Sequence, residues 1–99
     1  MMNQTAHGPI ITAPLRVRPP YDQHDVAGDQ RQNETIDQWW DRRCADGLAA
    51  LLTPLEGIDV SDYEWHTLRW LAGREDSTIA VVAALLHRAR TTDALPTHP

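Results

Sequence analysis

Six side chains in this sequence have the chemistry to hold a metal ion: His7, His24, His66, His87, His98 and Cys44. A zinc site needs three or four convergent ligands, usually delivered as Cys-x-x-Cys or closely spaced His pairs. No such pair occurs here, so no metal is expected. Nucleophilic catalysis needs Cys44 or a serine beside a base and a third, orienting group. Cys44 falls on the apolar face of a helical pattern, where a thiol behaves as an inert small hydrophobe. There is no glycine-rich phosphate loop and no Gly-x-Ser-x-Gly. Glu75 and Asp76 form a carboxylate pair beside Arg74, which is the pattern of a solvated turn. No catalytic residue stands out, and so short a chain leaves little room for a substrate cleft. The expectation is a protein that is not an enzyme, with no cofactor and no small-molecule substrate.

Aromatic side chains offer a different chemistry, that of recognition. Four tryptophans in 99 residues is a high count, and Trp is enriched at interface hot spots. Tyr63, His66 and Trp70 follow one another at i, i+3 and i+7, which puts them on one face of a helix. Trp65, Leu68, Leu71 and Ala72 occupy the opposite face, where a core would form. Trp40 and Trp65 are assigned to that core, and Trp39 is left on a flank of the preceding helix. The stripe Tyr63, His66, Trp70, with Trp39, is therefore the expected surface for a protein partner or for a second copy of the chain. A chain without Phe has another use for these rings, filling a small core from two sides. The two readings differ in what Trp70→Ala does to folding stability.

DNA is the alternative target. A helix, a Gly-containing turn and a second helix follow the outline of a helix-turn-helix. Arg74, Ser77, Thr78, Arg88 and Arg90 are the residues that would touch it. The details fit less well. The motif wants a small residue four positions before the turn glycine, and Arg69 is there. It wants an apolar residue just after the glycine, and Arg74 is there. Ser77-Thr78-Ile79-Ala80-Val81-Val82 offers few groups to read base edges.

These residues must be positioned by three helices. The first is expected over residues 34–52, with Asn33 as N-cap and Glu34 and Asp37 near its positive end. Ile36, Trp40, Cys44, Gly47 and Leu51 share its inner face at 100° per residue. Trp39 and Arg43 flank that face on one side and Leu48 on the other. Thr53-Pro54 stops it. Ser61-Asp62-Tyr63-Glu64 matches a capping box and opens a second helix over 62–72, with Gly73 as a left-handed C-cap. Asp76 or Ser77 caps a third helix over 78–90. Ile79, Val82 and Leu86 form its stripe, Val81 and Leu85 widen it, and Ala80 and Ala84 fill the back. A helix this apolar is expected either at the centre, packed by both others, or against a partner. Residues 1–32 carry four of the seven prolines and few large apolar residues, so a disordered arm is expected there. Within it, Leu15-Arg16-Val17-Arg18 alternates with period two and could lie extended in a groove. Residues 92–99 read as a loose tail. The fold class is all-α.

Composition narrows the setting. The chain is 41% apolar and 23% charged, with a net charge of −5. Residues 29–60 hold three Arg against seven acids, and residues 61–99 four against five. No segment is basic enough to attract nucleic acid through long-range field alone. The longest apolar run, Ile79 to Leu86, is far short of the roughly 20 residues of a membrane-spanning helix. Met1-Met2-Asn3-Gln4 begins no secretory signal, and a single cysteine allows no intrachain disulfide. A cytoplasmic protein with no membrane association is expected. All nine basic residues are Arg, a bias that matches coding from GC-rich DNA.

Tyr63-Glu64-Trp65-His66-Thr67-Leu68-Arg69-Trp70-Leu71-Ala72-Gly73, with Ser77-Thr78-Ile79-Ala80-Val81-Val82-Ala83-Ala84-Leu85-Leu86-His87-Arg88-Ala89-Arg90, resembles small helical proteins of streptomycetes, related actinobacteria and their phages. The likeness lies in a Trp-Leu-Ala helix end, a short turn with Thr, and a Val/Ala-rich helix ending in Arg-Ala-Arg. It spans about residues 62–90. No activity is established for that group, so the resemblance implies a small accessory or mobile-element protein and carries over no site residue.

Overall fold

Thr35-Ile36-Asp37-Gln38 opens the first helix in the computed structural model, which describes residues 9–91. The Thr35 hydroxyl accepts from the Gln38 amide at 3.0 Å, and the Gln38 side chain accepts from the Thr35 amide at 3.0 Å. This capping box satisfies two amides that the helix start leaves unpaired. The helix α1 runs Ile36–Leu52. Its N-cap is thus Thr35 and not Asn33, because Glu34 is drawn out of the helix to meet Arg42. A 3-10 turn at Thr53–Leu55 follows, and the chain reverses at Gly57, whose φ of 85° is a left-handed conformation that glycine adopts without strain.

The helix α2 runs Asp62–Ala72 behind the expected box: Ser61 caps the Glu64 amide, and Glu64 reaches back to Ser61. Gly73 is not left-handed. Its φ is −89°, and its amide closes a tight i→i−3 bond to the Trp70 carbonyl at 3.1 Å. The helix α3 runs Asp76–Thr91, which places Asp76 and Ser77 inside the helix. The architecture of the described residues is all-α, with three α-helices.

Helix α1 is the one that packs against both others, so the central place falls to it and not to α3. The core is small: Leu51, Ile79, Ala50, Ala72 and Ala83, with Val17 from the N-terminal arm, and Leu48, Leu71 and Val82 at its margin. Alanines dominate because the helices approach closely. Gly47 shows how closely: a Cβ there would stand 3.0 Å from Ile79 Cδ1 and 3.3 Å from the Ala72 carbonyl oxygen. On α3 the face that sinks deepest is Ile79, Ala80, Ala83 and Ala84, while Leu85 remains exposed.

The outer half of the apolar face of α1 is uncovered. Ile36 is 66% exposed and Trp40 43% exposed, although both sit on the face that buries Gly47 and Leu51. The reason is where the other helices lie along it. The last residue of α2, Ala72, stands beside Gly47, and the first of α3, Asp76, pairs with Arg43. The first turns of α1 extend beyond both.

The arm departs from the disorder expected of residues 1–32. Its residues 1–8 lie outside the described residues, and from Val17 onward the arm is held against the helices. Val17 is buried in the core. Arg18 pairs with Asp46 of α1 at 2.8 Å. The Leu15 amide donates to the Tyr21 carbonyl at 2.7 Å, and a 3-10 turn forms at Val26–Gly28. The ordering entropy is offset by side chains of α1 that reach back to arm carbonyls. Arg42 donates to Ala27 O and Asp29 O, and Trp39 Nε1 donates to Gly28 O, each at 2.8 Å. The expected tail at 92–99 lies outside the described residues.

Candidate functional site

The capping box at Ser61 fixes where α2 starts, and so fixes which side chains face out. Tyr63 is 82% exposed, His66 is exposed and Trp70 is 64% exposed. The three form one continuous stripe, opposite half-buried Trp65, Leu68 and Leu71 and buried Ala72. Arg74, just past the helix end, lays its guanidinium 5.4 Å from the centroid of the Trp70 ring. Such stacking, worth about 0.5–1 kcal/mol at an exposed site, favours one orientation of the indole. Beside Tyr63 a shallow apolar cleft of about 330 Å³ continues the surface, lined by Leu55, Ile58, Val60 and Leu68. Ile58 is itself exposed.

Trp39 is placed differently. It is half-buried, and its indole N–H is already committed to Gly28 O. Its ring lies 6.2 Å from that of Trp40, and the Arg43 guanidinium stands 5.8 Å from one and 5.1 Å from the other. Arg43 also pairs with Asp76 at 2.8 Å, which ties α1 to the start of α3. A cleft of about 370 Å³ lies between the two tryptophans and Gly73, Arg74 and Glu75. Arg74 therefore touches both aromatic groups, covering Trp70 on one side and lining the Trp39–Trp40 cleft on the other. Trp40 and Ile36 belong to this exposed surface. The helical period assigns them to the core, and only the points along α1 where α2 ends and α3 begins mark them as outward.

The residues expected to meet DNA are scattered in role. Arg74 is stacked on Trp70. Ser77, Thr78 and Arg88 are half-buried. Arg90 donates to the Pro54 carbonyl at 3.0 Å and the Glu56 carbonyl at 2.6 Å, so it serves to tie the end of α3 to the turn after α1. Glu75 and Asp76 stand between Arg74 and Ser77.

Cys44 is half-buried in α1, and burial pushes its thiol above the ordinary range, which keeps it protonated at neutral pH. Among the described residues no three His, Cys, Asp or Glu side chains gather as a metal site would require. His24 Nε2 meets Asp29 at 2.8 Å on an exposed edge. His7 and His98 lie outside the described residues. Among those residues no helix is long and apolar enough to cross a membrane. Comparison with family models, curated proteins and solved structures gives no match to this chain.

Proposed function

We propose that this chain is a non-enzymatic protein-interaction module that docks through the outward face of α2, onto a protein partner or a second copy of itself. The observation that carries the reading is the exposure of two large aromatics, Tyr63 and Trp70, on one helix face that no part of the described chain covers. Exposed rings of this size, rigid and amphipathic, are what interfaces use as anchors. Arg74 supports the same reading, since it preorganises Trp70 and brings a charge to the rim. The resemblance of residues 62–90 to actinobacterial and phage proteins suggests an accessory protein working in the cytoplasm. A helix-turn-helix role has less behind it, because Arg90 is spent on backbone carbonyls and two acids guard the start of α3.

The test is affinity capture from an actinobacterial lysate treated with nuclease, using wild type, Tyr63→Ala and Trp70→Ala. The expected result is one stoichiometric protein that survives nuclease and is lost with either substitution. Equal capture by all three, or recovery of discrete DNA fragments whose removal releases every protein, contradicts the proposal.

A further inference from the structure

We propose that the arginine-lined cleft between the N-terminal arm and helices α1 and α3 binds a phosphate group. The cleft has a volume of about 400 Å³ and is lined by Arg16, Arg18, Arg31, Arg42 and Arg43. Three of these are held in place by other groups: Arg18 by Asp46, Arg42 by Glu34 and two arm carbonyls, Arg43 by Asp76. Each of these three charges is already met by a carboxylate. The other two are not so engaged. Arg16 Nε is shut off from solvent and has no hydrogen-bond partner among the described residues. The guanidinium of Arg31 makes no ion pair among the described residues. A buried donor without an acceptor marks a place where a water or an ion belongs, and the planar guanidinium fork matches the spacing of phosphate oxygens. A phosphate has enough oxygens to accept from Arg16 and Arg31 together, and its charge near neutral pH suits two guanidiniums that form no ion pair among the described residues. Three carboxylates line the same cleft: Asp46 and Asp76 are taken up by Arg18 and Arg43, and Asp25 works against an anion. Asp25 is half-buried in the same cleft and makes no ion pair among the described residues.

That opposition gives a test with two signs. The full chain is titrated at pH 7 and constant ionic strength with inorganic phosphate and, separately, with phenyl phosphate, followed by calorimetry. Wild type is expected to bind saturably, one anion per chain. Arg16→Gln is expected to weaken binding about tenfold or more, as loss of a charged hydrogen bond does. Asp25→Asn is expected to strengthen it. Tighter binding of phenyl phosphate identifies a phosphate ester as the ligand, and tighter binding of inorganic phosphate identifies the free anion. Absence of saturable binding of both anions overturns the proposal, as do affinities that neither substitution moves. If Arg16→Gln does not fold, Asp25→Asn decides alone: a rise in affinity supports the site, and no change refutes it.

Discussion

Arg42 grips Glu34 with two nitrogens, Nε to Oε2 at 2.7 Å and Nη2 to Oε1 at 2.9 Å. The pair is shielded, with the Glu34 side chain only 10% exposed, and the same guanidinium reaches on to Ala27 O and Asp29 O. One arginine thus joins the first turns of α1 to the arm before it. The Arg42 hydrogen bond, and after it the one from the Arg31 amide, hold the Glu34 carboxyl well below its ordinary value of 4.5, at about 2.

A lowered carboxyl pKa fixes the sign of the pH effect. The stabilisation from Glu34 is fully present above pH 4.5 and is lost as pH falls toward 2. The arm is expected to detach in that window before the helices melt. The emission of Trp39, which touches the arm through Gly28, should shift to the red while far-ultraviolet circular dichroism is still near its neutral value. Glu34→Gln should show the detached signal already at pH 7. Simultaneous loss of both signals in wild type would contradict this.

Trp39 is here a structural residue first. Trp39→Phe keeps a ring beside Arg43 but removes the donor to Gly28 O. The expected loss is about 1 kcal/mol in urea denaturation, with faster amide exchange at residues 26–29. A loss no larger than experimental error would mean that the arm does not depend on this bond.

Gly47 sets how closely α1 approaches the other helices. Gly47→Ala raises helix propensity yet drives a methyl group against Ile79 and the backbone of Ala72. The backbone cannot yield cheaply, so a net loss of roughly 1–3 kcal/mol is expected. A stabilised variant would show that the helices pack less tightly. At Gly57 the cause is different: alanine resists the positive φ, and about 1 kcal/mol should be lost without any clash.

Several parts of this arrangement can be read from the sequence. Ser61-x-x-Glu64 states the start of α2 outright, since a capping box is purely local. The opposition of Tyr63, His66 and Trp70 to Leu68 and Leu71 follows from helical period once that start is fixed. Thr35-x-x-Gln38 carries the same signature, but Asn33 competes with it as a cap, and only the long-range pull of Arg42 on Glu34 decides. Burial of Val17 and the seating of the arm rest on bonds donated by Trp39 and Arg42, and on one accepted by Asp46, that span 11 to 28 positions. No local pattern encodes those. Exposure of Ile36 and Trp40 is likewise a matter of where α2 ends and α3 begins along α1.

Everything assigned to the outer face of α2 rests on Trp70 standing in solvent. The most direct measurement is the equilibrium urea denaturation of the full chain with Trp70→Ala. A surface tryptophan stacked only by Arg74 predicts a loss below roughly 1 kcal/mol with an unchanged denaturant slope. A loss of roughly 3–5 kcal/mol, the cost of emptying a core site, would contradict it and return Trp70 to the core.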